Sequence, residues 1–293
     1  MLALLVVSLL WAFSFGLIKG NLAGVDANLI AAARIGIAAL VFLPFLRLKQ
    51  VSRPLALRLL GIGALQFGVM YIAYNYSFKY LSAYEVALFT IFTPIYVTIL
   101  NDAITRRFRR VNLWTALLAV AGTGVVVMNG WVESQVLTGF LLVQVSNLAF
   151  AFGQIGYQKV MRAAPQVKDL SVFGLLYLGG FFAAGLSSAL FTPFAQVALT
   201  GKHILTLGYL GLIASGLGFF LWNYGARRVE AGTLAIFNDL KIPLSIAVSL
   251  LVFREQANVV NLILGGAIVL AALALHEFSL RRAKQPVEAS LAE

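Results

Sequence analysis

Apolar residues run along the chain in blocks of about twenty, long enough for a helix to cross a hydrocarbon core of roughly 30 Å, and polar residues collect in the short intervals between them. The pattern predicts ten transmembrane helices, over 2–18, 28–46, 56–80, 83–103, 113–129, 136–160, 170–192, 204–226, 231–253 and 259–279. A helix satisfies its backbone polar groups internally, so the expected fold class is an all-α membrane protein. The first block has no basic leader and no small-residue cleavage site, so it is expected to be retained as a helix. Residues 281–293, with Arg281, Arg282 and Lys284, are expected to form a short cytoplasmic tail.

Composition agrees with this pattern. The 293 residues are 61% hydrophobic and 11% charged, with a mean hydropathy of +0.91, whereas soluble domains average about 25% charged residues. The net charge of +11 is not a nucleic-acid footprint, because the basic residues fall in alternate loops. Arg47, Lys49, Arg53 and Arg58, then Arg106, Arg107, Arg109 and Arg110, then Lys159, Arg162 and Lys168, then Arg227 and Arg228 mark one side of the membrane. By the positive-inside rule that side is cytoplasmic, as are both termini. Without Cys there is no disulfide or thiolate chemistry, and two His are too few for a His-rich metal site. No phosphate-cradling glycine loop is present, so no ATP engine and no cofactor are expected. The expected partners are the lipid bilayer and a small-molecule substrate, with transport driven by gradients, either facilitated or proton-coupled. No sequence feature fixes the oligomeric state, and a monomer is the working expectation.

The chain also repeats itself. Ala12-Phe13-Ser14-Phe15-Gly16 is echoed by Ala149-Phe150-Ala151-Phe152-Gly153, Tyr74-Asn75-Tyr76 by Trp222-Asn223-Tyr224, Pro94-Ile95 by Pro243-Leu244, and Val111-Asn112-Leu113 by Val260-Asn261-Leu262. The order is the same in both series, which divides the chain into repeats at 1–130 and 131–280. Five spans per repeat is an odd number, so the second half enters the membrane inverted, an arrangement suited to alternating access around a central cavity.

The stretches "LLWAFSFGLIKG" (9–20), "AAARIGIAALVFLP" (31–44), "FKYLSAYEVALFTIFTPIYVTIL" (78–100) and "FREQANVVNLILGGAIVLAAL" (253–273) resemble EamA-type repeats of the drug/metabolite transporter superfamily. The first repeat departs from that pattern, with Arg106-Arg107 where a Glu usually ends the fourth span, as Glu255 does after the ninth. The resemblance implies a cavity lined mainly by spans 1, 3, 4, 6, 8 and 9. It also implies export of metabolites from the bacterial cytoplasm across the inner membrane, an aromatic or bulky neutral amino acid being nearest in character.

Several residues offer the chemistry for such a site. Pro94 and Pro243 each remove a helical hydrogen bond, from the carbonyls of Thr90 and Asp239, and are expected to act as matched hinges. Asn238, Asp239 and Lys241 lie roughly 12–15 Å into span 9 at 1.5 Å per residue, where charge must face a wet cavity or a partner. Lys241 shares a helical face with Asn238 and Ser245, and this stripe can meet a substrate carboxylate or form a structural ion pair. Glu85, above Phe89, Thr93 and Tyr96, can bind a substrate ammonium or proton, or can simply cap its helix. Arg34 is expected to snorkel or pair structurally and not to touch substrate. Aromatic and amide groups collect on the cavity spans as Trp11, Ser14 and Phe15; Tyr71, Tyr74, Asn75 and Phe78; Asn147, Phe150, Gln154 and Tyr157; and Phe219, Trp222 and Asn223. Such faces stack an apolar group while amides orient its polar end, or they form interfacial belts and helix contacts.

The leading expectation is therefore an alternating-access amino-acid exporter, with multidrug or other organic-solute efflux as the alternative. An intramembrane enzyme lacks a convergent constellation, and a scaffold leaves the span 9 charges and the matched prolines unexplained.

Overall fold

The computed structural model describes residues 2–105, 134–229, 231–258 and 260–268, with isolated positions between 114 and 125 and between 270 and 275. The elements are helical: α1 (Leu2–Asn21), α2 (Ala27–Phe42), α3 (Arg53–Ser77), α4 (Ala83–Phe89 continued by Phe92–Thr105), α5 (Ser134–Arg162), α6 (Asp169–Phe191), α7 (Gly201–Ala226) and α8 (Ala231–Leu251). Seven of them, α1 to α7, are long and apolar enough to span a bilayer, and α8 carries a shorter apolar stretch, Leu240–Leu251. The blocks predicted at 113–129 and 259–279 lie largely outside the described residues, as does the tail.

Lipid supplies no hydrophobic drive for helices to associate, so close approach depends on small residues. The contact of α3 with α6 shows this. A Cβ on Gly63 would stand 1.9 Å from the Leu176 carbonyl oxygen, and one on Gly179 would stand 2.0 Å from that of Leu60. On its other side α6 packs along α2. Phe67, Phe173 and Tyr177 fill the space between these helices as a cluster of buried rings, with Phe67 and Tyr177 stacked at 5.1 Å.

Two helices loosen locally. Ala64–Val69 of α3 and Leu210–Leu217 of α7 wind as π-helix, the five-residue hydrogen-bond spacing that often marks functional positions. In α7 the carbonyls of this segment are met from outside the helix. Trp11 Nε1 donates to the Ala214 oxygen at 2.9 Å, and the Tyr177 hydroxyl lies 2.9 Å from the Ser215 oxygen and 2.6 Å from that of Gly216.

At the end of the bundle where α1 runs into α2, Asp26 caps α2 by accepting from the Asn28 and Leu29 amides, and the Thr192 hydroxyl donates to the same oxygen at 2.7 Å. Partial burial pushes the Asp26 carboxyl up, but these hydrogen bonds outweigh it and hold it below its ordinary value. The cap therefore contributes stability above the unfolded carboxylate range and loses it as pH falls through the lowered value.

The α3–α6 contact is open to direct test. Gly179→Ala is expected to lower stability by about 1–3 kcal/mol through overpacking against backbone. Gly61→Ala, where a methyl meets nothing within 4 Å, is expected to leave it unchanged or slightly raised. Thermal unfolding of the purified proteins in detergent compares the two.

Candidate functional site

Between the helices lies a small cavity whose lining is mostly apolar and aromatic with a few convergent polar groups, the make-up of small-molecule sites. Its lining comes from seven helices: Trp11, Ser14 and Phe15 of α1, Arg34 of α2, Met70, Tyr71 and Tyr74 of α3, Thr90 and Thr93 of α4, Asn147 and Phe150 of α5, Phe219 of α7 and Lys241 of α8. The rings form one connected wall. Trp11 stands 4.7 Å from Phe219, which stands 5.8 Å from Tyr71, while Phe150 meets Trp11 at 6.4 Å and Tyr74 meets Phe15 at 5.8 Å.

Two cations lie against this wall. Lys241 Nζ lies 5.5 Å from the Trp11 ring centre and donates to Asn238 Oδ1 at 3.0 Å. The Arg34 guanidinium lies 4.2 Å from the Tyr71 ring centre, with Nη2 donating to the Tyr71 hydroxyl at 2.9 Å and Nε to Ser215 Oγ at 3.2 Å. Arg34 is 2% exposed, so it does not snorkel. It sits roughly 10 Å into α2 at 1.5 Å per residue. Among the described residues, neither Asp nor Glu lines the cavity.

The polar side of the cavity is made by a break in α4. Pro94 has no N–H for the Thr90 carbonyl, and the Thr93 N–H takes that carbonyl instead, at 3.0 Å. The carbonyl expected to lack a partner is thus satisfied, one residue early. The cost passes to the Phe89 carbonyl, which loses its helical donor, and Asn147 of α5 supplies one from Nδ2 at 2.8 Å. The Thr93 hydroxyl closes the arrangement by donating to Asn147 Oδ1 at 3.2 Å. Pro243 behaves differently, since α8 runs on through it without a break.

The sequence profile of the EamA-like transporter family matches this chain twice, over residues 1–128 and 137–276. The chain belongs to the EamA-like transporter family. It is therefore a multi-pass membrane transporter of the drug/metabolite type. The chain is 39% identical to a protein of Salmonella typhimurium strain LT2 named "Biotin transporter", over 94% of this chain and 92% of that protein. It is 27% identical to one of Escherichia coli K12 named "Probable amino-acid metabolite efflux pump", over 96% and 95%. A solved crystal structure superimposes with a TM-score of 0.68 over 94% of this chain and 95% of its own, at 20% identity, which shows a shared fold.

In this EamA-like transporter the remaining expected residues lie around the cavity and not on its surface. Trp222 is buried behind Trp11, 5.1 Å between rings, and its Nε1 donates to Gln154 Oε1 at 3.3 Å. Asn223 donates to the Phe219 carbonyl and accepts from Gln66. Tyr157 reaches Asp169, which also receives Arg227, so the lower end of the α5 face belongs to a buried ion-pair cluster. Phe78 packs edge-on against Tyr74, Phe89 against Phe140, and the Tyr96 hydroxyl donates to Gln144. Asn75 is buried, and its amide atoms have no hydrogen-bond partner among the described residues. Asn238 holds Lys241, and the side chain of Asp239 lies outside the described set.

Glu85 takes the capping alternative. Its carboxylate accepts from the Ser82 amide at 2.9 Å and the Ser82 hydroxyl at 2.7 Å, closing a capping box at the start of α4. Glu255 completes that helix start by accepting from the Ala83 and Tyr84 amides. Three cavity residues, Arg34, Met70 and Thr90, were outside the predicted site. For Arg34 the signal was present, because an ionisable residue inside an apolar span marks a functional position by default.

Asn147→Leu keeps the branched outline of the side chain but leaves the Phe89 carbonyl and the Thr93 hydroxyl without their partner. A loss of about 1–3 kcal/mol is expected, measured as a lowered unfolding temperature in detergent.

Proposed function

We propose that this transporter carries biotin across the bacterial cytoplasmic membrane. The observation that carries this reading is the 39% identity, over nearly the whole chain, to a protein named as a biotin transporter. The cavity chemistry supports it. Biotin has an ionised carboxylate on an aliphatic chain and a compact bicyclic ureido head. The carboxylate suits a cavity with two cations, Arg34 and Lys241, and no described acid. The apolar body suits the ring wall, and the ureido group suits the hydroxyl and amide groups of Thr90, Thr93 and Asn147.

Amino-acid export, the expectation from sequence, is the second reading, favoured by the likeness to the probable amino-acid metabolite efflux pump. An amino acid brings an ammonium as well as a carboxylate, and the ammonium needs an acceptor of opposite charge. Glu85, one candidate acceptor, closes the capping box at the start of α4. The lining favours a simple anion over a zwitterion.

The mechanism we propose is alternating access between two five-helix halves of opposite orientation, ten helices in all, with both termini cytoplasmic. Its support is the double match of the family profile, the four echoes in sequence, the alternation of loop charge, and a π-helical segment at a corresponding place in each half. The break at Pro94 is a point where α4 can pivot as the halves exchange conformations.

Labelled biotin and labelled phenylalanine, presented to right-side-out and inverted membrane vesicles carrying the protein, test the reading and reveal direction. Saturable, protein-dependent biotin flux that excess phenylalanine leaves unchanged is expected. Phenylalanine flux with no biotin flux in either vesicle type overturns it.

A further inference from the structure

We infer that Arg34 is the residue that recognises the substrate's negative charge and makes the transporter selective for carboxylates over their neutral analogues. The inference rests on the reading of the cavity as the site of an anionic substrate and assigns that charge a specific receptor.

Arg34 is buried, yet it meets no carboxylate within salt-bridge distance among the described residues. A buried guanidinium is normally paired, because a charge removed from water and left alone is unfavourable. The neutral contacts made here account for only part of its hydrogen-bonding capacity. Nε and Nη2 are taken by Ser215 and Tyr71, which are themselves 2.8 Å apart and close a three-membered ring of contacts. Nη1 is buried and has no hydrogen-bond partner among the described residues. The fork is therefore fixed in direction by neutral groups on one side and left with an unused donor, on a residue that lines the cavity.

The two π-helical segments explain why the fork is held so firmly. Tyr71 lies two residues past the end of the α3 segment, and Ser215 lies within the α7 segment, so a hydroxyl at or near each irregular turn meets the same guanidinium. Tyr177 and Trp11 hold the α7 segment by its carbonyls. A planar fork preset this way suits a carboxylate, which accepts charge-assisted hydrogen bonds from it. Lys241 is differently placed, since its ammonium is engaged by Asn238. It supplies positive potential along the ring wall, while Arg34 supplies the directed donor. Tyr71 and Ser215 are positioning residues for it.

The full-length protein in lipid nanodiscs tests this by displacement of labelled biotin with biotin, biotinamide and biotin methyl ester. Wild type is expected to prefer biotin over both neutral analogues by about tenfold or more, the scale of one charge-assisted hydrogen bond. Arg34→Gln is expected to bind biotin and biotinamide alike, and Arg34→Lys to regain part of the preference. An undiminished preference in Arg34→Gln overturns the inference, whatever that variant does to stability. If Arg34→Gln does not fold, modification of the wild-type protein by phenylglyoxal, read by mass spectrometry, decides the matter. Biotin at saturating concentration, but not biotinamide, should protect Arg34, and equal modification with and without biotin overturns the proposal. If wild type binds no biotin, the biotin reading fails, and a panel of aromatic and aliphatic carboxylates against their amides, scored by thermal protection, takes its place. Protection by an acid but not its amide, lost in Arg34→Gln and partly kept in Arg34→Lys, sustains the anion receptor, and no difference between acids and amides overturns it.

Discussion

A guanidinium buried in a lipid-embedded helical bundle constrains everything around it. Arg34 is held by Tyr71 of α3 and Ser215 of α7, so its contacts join helices from both halves of the chain. A π-helical segment lies just before Tyr71 in α3, and another contains Ser215 in α7. Those segments free backbone groups that lipid cannot satisfy. Trp11 and Tyr177 donate to carbonyls of the α7 segment, and Trp11 then forms the cavity wall as well. One charge thus fixes the direction of several side chains and places an aromatic surface beside itself.

The same rule of internal satisfaction shapes the opposite wall. Pro94 shifts the hydrogen bonding of α4, and the displaced demand is met by Asn147 from α5. The polar groups of the cavity are therefore by-products of a broken helix and its repair. Small residues do the remaining work, bringing α3 and α6 into backbone contact at Gly63 and Gly179 behind the cavity.

Much of this was legible in the sequence, and the limits are physical. Apolar blocks locate the described helices within a few residues at most ends because lipid demands a minimum apolar length. The cavity faces of α1, α3 and α5 follow from helical periodicity, which brings Trp11, Tyr74 and Phe150 inward together. The proline pair shows where local chemistry stops being sufficient. Pro94 and Pro243 have the same ring and the same missing donor, but α4 breaks and α8 does not. A tertiary partner, Asn147, serves the displaced carbonyl in α4, and no local pattern announces it. The π-helical segments were invisible for a related reason, since adding one residue to a turn leaves the surrounding apolar periodicity almost unchanged. Arg34 was read by its depth alone, and its fixation depends on Ser215, far away in the chain. Glu85 was the reverse case, with Ser82 three residues before it already offering the capping arrangement that the structure contains.

An experimental structure of the protein with biotin bound is the direct test of an anion held at a preset guanidinium beside a wall of rings. The biotin carboxylate is expected within hydrogen-bond distance of Arg34 Nη1, with the bicyclic head among Trp11, Phe150 and Phe219. Biotin bound elsewhere, or bound in the cavity with its carboxylate turned away and Nη1 still without a partner, would contradict it.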